Sequence, residues 1–297
     1  MTHKPATLPL PHILLALAVV AVWGTNFPII KLALAHIPPL AFATLRFIFA
    51  FLPAALFLKR PAVPLRNLAA YGILIGAGQF GVLYIAMKHD ISPGLASLVM
   101  QVQVFFTIGL AMWLTRERVR RFQIAALALA AAGLGIIVLH GGADATPLGL
   151  GLALFAALNW AGGNLVARAS PGANMLAYAV WASVFSIPPL AILSLVFEGW
   201  PTVSHGLSEA GLAAWAAVLY QSFGNTLFGF GSWAFLLARH PAAVVSPFAL
   251  LVPVVGMATA AVMVGEALPP WKLAAATLVM AGLVLNLAWP RMMRAWA

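Results

Sequence analysis

A chain of 297 residues that is 63% hydrophobic and 7% charged, with a mean hydropathy of +1.01, is no ordinary soluble protein, where charge runs at roughly 25%. Apolar runs of about 20 residues recur along its length, the mark of an all-α polytopic membrane protein with no large soluble domain between spans. The net charge of +10 sits in short loops between those runs, as topology signals do and nucleic-acid surfaces do not, and the lack of Cys excludes disulfides, Cys-based metal sites and thiol catalysis.

Ten spans are predicted. Span one, 12–34, carries Trp23, Thr25, Asn26 and Pro28 and closes on Lys31. Its residues 13–22 could also serve as a signal-peptide core, but the apolar run is long and its flank only weakly basic. Span two, 40–58, holds Arg46, the one cation set well in from a span's end. Snorkelling to the headgroups is the bland account of it; the sharper ones are holding a substrate carboxylate or locking a gate. Span three, 68–88, carries Gly72 and Gly76, whose four-residue spacing permits close helix approach, then Gln79 and Tyr84. Span four, 92–114, has Gln101 and Gln103 and is followed by Arg116-Glu117.

Span five, 121–139, is dense in Ala, as is span ten, 270–289, so both read as tightly packed structural helices. Span six, 147–167, carries Asn159, Trp160 and Asn164; span seven, 174–197, has Tyr178, Trp181, Ser183 and the pair Pro188-Pro189. Span eight, 210–237, holds Tyr220, Gln221, Ser222, Asn225 and Trp233. Span nine, 242–264, contains Pro247 and Pro253 and runs into Gly265-Glu266. In-span prolines remove backbone hydrogen bonds and kink helices, so Pro28, Pro247 and Pro253 are candidate gating positions.

With ten spans both termini lie on one side. If that side is cytoplasmic, twelve Lys and Arg fall inside and only Lys31, Lys88 and Lys272 outside, a strong positive-inside bias. The chain also repeats itself. Glu117/Glu266, Ala126/Ala275 and Gly133/Gly282 share an offset of 149, whereas Trp23/Trp160 and Lys31/Arg168 share 137. Segment 198–209 is the expected insertion. Two five-span units, 1–140 and 141–297, must then enter the membrane with opposite orientation, as inverted repeats.

The run Trp23-Gly24-Thr25-Asn26-Phe27 with Lys31 after it, Arg46 early in span two, and the Arg116-Glu117 and Gly265-Glu266 steps after spans four and nine resemble the drug/metabolite transporter superfamily, in its ten-helix EamA-type branch. The second half departs where Trp160-Ala161-Gly162-Gly163-Asn164 replaces the first motif. The resemblance implies a metabolite exporter of the bacterial inner membrane, and within the branch the chain looks most like exporters of aromatic and other neutral amino acids. A lipid- or nucleotide-conjugate flippase, or a channel of the same fold, is the alternative. An intramembrane enzyme lacks its signatures: there is neither an embedded Ser–His pair nor a His-Glu-x-x-His motif.

Polar groups in the bilayer centre need partners or a wet cavity. The candidate substrate-binding residues are Trp23, Asn26, Gln79, Tyr84, Gln101, Asn159, Trp160, Asn164, Trp181, Tyr220, Gln221 and Asn225; Lys31 and Arg46 are candidate charge locks. Amides serve both charged groups of a zwitterion, and aromatic rings offer an apolar face. Amides also glue helices together. Trp200, Trp271, Trp289 and Trp296 near span ends fit an interfacial belt. Glu117 and Glu266 fit helix-end contacts, and no acidic or His side chain is deeply embedded. That pattern points to uniport, or to coupling without a buried carboxylate. No cofactor or metal is called for; the partners are a small-molecule substrate and the lipid bilayer, and nothing fixes the oligomeric state.

Overall fold

The computed structural model describes residues 8–115 and 120–295, and they form a helical bundle. Arg116, Glu117 and Trp296 lie outside the described residues. The helices are α1 (Leu10–Ala33), α2 (Pro39–Ala55), α3 (Leu65–His89), α4 (Pro93–Leu114), α5 (Arg121–His140), α6 (Pro147–Arg168), α7 (Met175–Glu198), α8 (212–239), α9 (Ser246–Val264) and α10 (Pro270–Ala295). Among the described residues eight helices are long and apolar enough to cross a membrane. Of the other two, α2 has 17 residues, and α8 carries the polar run from Tyr220 to Thr226 at its middle. The chain is therefore a multi-pass membrane protein. Segment 198–209 contains a short helix, Trp200–Glu209, introduced by Gly199 at φ 77°.

Several helices open on a proline in the first turn, where the missing N–H costs nothing: Pro39, Pro93, Pro147 and Pro270. Gly265 ends α9 in the left-handed region (φ 68°, ψ 23°), a conformation that favours glycine, and this turn sends Glu266 back toward the bundle.

Two irregularities recur at one spacing. A π-helical stretch occupies Leu74–Gly81 in α3 and another Tyr220–Phe230 in α8, an offset of 146 (220 − 74). A 3₁₀ stretch occupies Met100–Val102 in α4 and another Ser246–Leu251 in α9, again 146 (246 − 100). Pro247 lies in the second and Pro253 just beyond it, but the first has no proline, so proline alone does not cause the tightened turn. π segments widen the helix and shift side-chain register, and they gather at functional sites.

Close approaches of backbone fix the packing. A Cβ on Gly72 would lie 2.2 Å from the carbonyl oxygen of Ala182, and one on Gly76 2.3 Å from Cβ of Ser186, so the α3 glycine pair seats α7 directly. Gly24 meets Val255 in the same way and holds α1 against α9, so the first helix is an integral part of the bundle. Helices α5 and α10 pack together at the periphery and expose Leu127, Val138, Leu273 and Val284.

One end of the bundle is laced by polar contacts. Glu266 accepts from Ser92 Oγ (2.7 Å), the Gly94 N–H (2.8 Å) and Lys272 Nζ (3.0 Å). Lys272, fully buried, also pairs with Asp144 at 2.8 Å. Glu198 accepts the N–H groups of Leu40 (2.6 Å) and Ala41 (3.0 Å) at the start of α2. Both carboxylates thus sit at helix N-termini, where unpaired N–H groups and the helix dipole favour negative charge. Lys31 donates to the carbonyls of Met87 and Lys88 (2.9 Å each) at the end of α3, and Lys88 donates to the carbonyl of Leu34. Glu266 makes the helix-end contact its position suggested.

Candidate functional site

Arg46 lies mid-way along α2 and is 1% exposed. It does not snorkel to a headgroup layer; it points across the bundle. Its Nη1 donates to the Tyr84 hydroxyl of α3 (2.8 Å) and its Nη2 to the Thr226 hydroxyl of α8 (2.9 Å). The Phe80 ring lies 3.8 Å beneath the guanidinium carbon and the Phe47 ring 5.1 Å away, a cation–π setting. Nε is buried without a hydrogen-bond partner.

Around it runs a polar crossing between α1, α3 and α8. Tyr84 donates to Gln221 Oε1 (3.3 Å), and Asn225 Nδ2 donates to the same oxygen (3.3 Å). Gln221 Nε2 reaches the carbonyl of Asn26 at 3.4 Å, while the Asn26 Oδ1 is buried and unpartnered. Trp23 Nε1 donates to the carbonyl of Asn225 (3.2 Å), and its ring leans on Phe230 and Trp233. Tyr220 donates to the carbonyl of Val22 (2.9 Å) and shares a hydrogen bond with the Thr25 hydroxyl. The π stretch of α8 makes this possible by bringing Gln221, Asn225 and Thr226 to one buried face.

A narrow slot of about 20 Å³, room for about one water molecule, lies beside Arg46, between α2, α3, α7 and α8. Phe80, Tyr71, Ser183, Ser186, Thr226 and Phe230 line it together with Arg46. It extends toward Tyr71 and Phe230, away from the Glu266 end. A second hollow, of about 370 Å³, lies at that opposite end between the loops joining α2 to α3 and α6 to α7, beside Lys59 and Asn174.

The structure thus gathers Trp23, Asn26, Arg46, Tyr84, Tyr220, Gln221 and Asn225. It leaves others apart. Asn164 donates to Gln103 Oε1 (2.9 Å) and Thr107 Oγ1 (3.3 Å), joining α6 to α4. Asn159 donates to the carbonyl of Phe155 (2.9 Å) and abuts Gly78 of α3. Trp181 donates to the carbonyl of Leu58 (2.8 Å) and meets Phe51 edge-on. Trp160 packs half-buried against the main core. Gln79 and Gln101 are buried outside the crossing, and of the gathered residues only Arg46 belongs to the cavity wall. Lys31 is occupied at the end of α3, and Pro28 is buried within α1. Thr226 escaped notice in the sequence; its signal was its place in a polar run, one helical turn beyond Ser222.

The profile of the EamA-like transporter family matches residues 10–139 and again 147–288. The chain belongs to the EamA-like transporter family. A probable amino-acid metabolite efflux pump of Salmonella typhimurium is 42% identical over 92% of this chain and 93% of that protein. A protein of the same description from Escherichia coli is 38% identical over the same shares. A probable terminal-alkyne amino-acid exporter of Streptantibioticus cattleyicolor is 30% identical over 74% of this chain and 69% of that one. A solved crystal structure superposes with a TM-score of 0.62 over 95% of this chain and 98% of that chain; at 18% identity it supports the fold alone. For an EamA-like transporter, a buried polar crossing beside a cavity is the natural place to look for the substrate path.

Proposed function

We propose that this EamA-like transporter exports amino acids, aromatic and other neutral ones, or related small metabolites, across the bacterial inner membrane by alternating access. The observation that carries the reading is the buried crossing around Arg46, set on a cavity in a chain whose relatives are described as amino-acid efflux proteins. The ten helices act as ten spans in two inverted five-helix units, 1–140 and 141–297, with both termini cytoplasmic. The positive-inside bias and the paired π and 3₁₀ segments support that arrangement. The Glu266 end is then the outer face, closed in this conformation, and the cavity leads inward.

In this reading Tyr84, Gln221, Asn225 and Asn26 offer donors and acceptors to the substrate, while Trp23 and Tyr220 hold α1 against α8. Gln79, Gln101, Asn159, Trp160, Asn164 and Trp181 line or brace the path as the helices move. Pro28, Pro247 and Pro253 mark where α1 and α9 bend.

Reconstituted in liposomes, the protein should take up labelled phenylalanine and alanine saturably, with and without a pH gradient. Asn225→Ala should lower the initial rate about tenfold, the loss expected of one buried hydrogen-bonding group. Absence of uptake for every amino acid under both conditions would overturn the export reading.

A further inference from the structure

Arg46 is a buried cation with no counter-ion among the described residues. Its two engaged nitrogens meet neutral hydroxyls, and Nε meets nothing. A buried charge is costly unless an opposite charge and hydrogen bonds compensate it. No acidic side chain lines the cavity. Of the six acidic residues in the sequence, Glu117 lies outside the described residues. Asp144, Glu198 and Glu266 are engaged at the Glu266 end, and Asp90 there accepts from Thr146. Glu209 is exposed in the short helix. A guanidinium offers five donors in a fork that fits a carboxylate in bidentate fashion.

The rest of the cavity has a different chemistry. Ser183 gives its proton to the carbonyl of Ala179 (2.9 Å) and Ser186 to that of Gly72 (2.8 Å), so each hydroxyl retains only acceptor capacity toward the cavity. Tyr71, Phe80 and Phe230 supply ring faces. A ligand's ammonium group would meet neutral oxygens and rings and no counter-charge, whereas its carboxylate would meet an unpaired cation.

We infer that the cavity is a carboxylate-selective site: its cargo is organic monocarboxylates bearing an apolar or aromatic tail, the carboxylate is indispensable and the α-ammonium is not. This rests on reading the cavity as the substrate path. The carboxylate takes Arg46 from the Tyr84 and Thr226 hydroxyls and engages Nε. The slot toward Tyr71 and Phe230, now room for about one water molecule, widens as α7 and α8 part to take the tail. 2-Hydroxy acids and N-acylated amino acids are then ligands alongside amino acids, and amino-acid amides are not.

The test is equilibrium binding to the purified protein in lipid nanodiscs, with phenylalanine, 3-phenyllactate, N-acetylphenylalanine and phenylalaninamide as probes. The three carboxylates should bind within about fivefold of one another and the amide at least about tenfold more weakly, the scale of one charge-assisted contact. Arg46→Gln should abolish that preference by weakening the three carboxylates to the level of the amide, with thermal unfolding in detergent reporting separately that the variant folds. The wild-type series stands without it. The inference is overturned if the amide matches phenylalanine, if the two ammonium-free acids fail where phenylalanine binds, or if none of the four binds. Uptake of labelled phenylalanine in liposomes tests export separately: binding in the expected order without uptake refutes export and leaves the carboxylate site standing.

Discussion

At the scale of single residues, the glycines of α3 show how much of this fold depends on missing side chains. Alanine at Gly72 would press Cβ against the Ala182 carbonyl at 2.2 Å, and backbone yields poorly. Gly72→Ala should therefore separate α3 from α7 and destabilise the protein by about 1–3 kcal/mol, the usual cost of overpacking. Gly135, with nothing within 4 Å of a built Cβ, is the control. Gly135→Ala should be neutral or stabilising by up to about 1 kcal/mol through helix propensity. Thermal unfolding in detergent checks both, and equal behaviour of the two variants would sink the argument. The four-residue glycine spacing was legible in the sequence, since periodicity reports which residues share a helix face. Thr226 stood in a legible polar run, but its pairing with Arg46 was not legible, because a buried partner on a helix 180 residues away leaves no local trace.

At the scale of elements, α5 and α10 form a reciprocal pair. Gly133 of α5 meets Ala275 and Val279 of α10, while Gly282 of α10 meets Ala126 and Ala130 of α5. Each residue's counterpart lies 149 positions away, so the contact reads the same from either helix. The sequence marked both helices as Ala-dense and tightly packed and repeated Ala126/Ala275 and Gly133/Gly282 at one spacing, but it did not say that the two pack on each other. It did not foretell the π stretches in α3 and α8 or the 3₁₀ stretches in α4 and α9, which no residue pattern shared by the halves marks. Gly282→Val should drive Cβ into the Ala126 carbonyl, 2.6 Å away, and cost about 1–3 kcal/mol. This interface lies outside the Arg46 cavity, so ligand affinity in the surviving folded fraction should stay within about twofold of wild type, a shift worth only ~0.4 kcal/mol. A stable variant with weakened binding would show instead that α5 and α10 take part in the site.

At the scale of the whole molecule, the two ends differ: one is tied by Glu266, Lys272, Asp144 and Glu198, and the cavities lie toward the other. If the chain works by the alternating access proposed above, its cycle has to undo the first arrangement, and carboxylates seated on the N-termini of α4 and α2 are the groups to release. Glu266→Gln keeps the shape but removes the charge that holds Lys272 and the N–H of Gly94, so closure at this end should weaken. Lys272 retains Asp144, which limits the loss to about 1–3 kcal/mol rather than the full cost of an orphaned buried charge. Because the chain contains no Cys, a Ser183→Cys reporter in the cavity wall has no background. In right-side-out vesicles, a membrane-impermeant maleimide added outside should modify that reporter slowly in the otherwise wild-type chain and several-fold faster with Glu266→Gln. Glu198→Gln, which loosens the hold on α2, should act in the same direction. If neither change alters the labelling rate while both proteins fold and bind ligand, the Glu266 end is a static brace and the opening to the outside must lie elsewhere in the bundle.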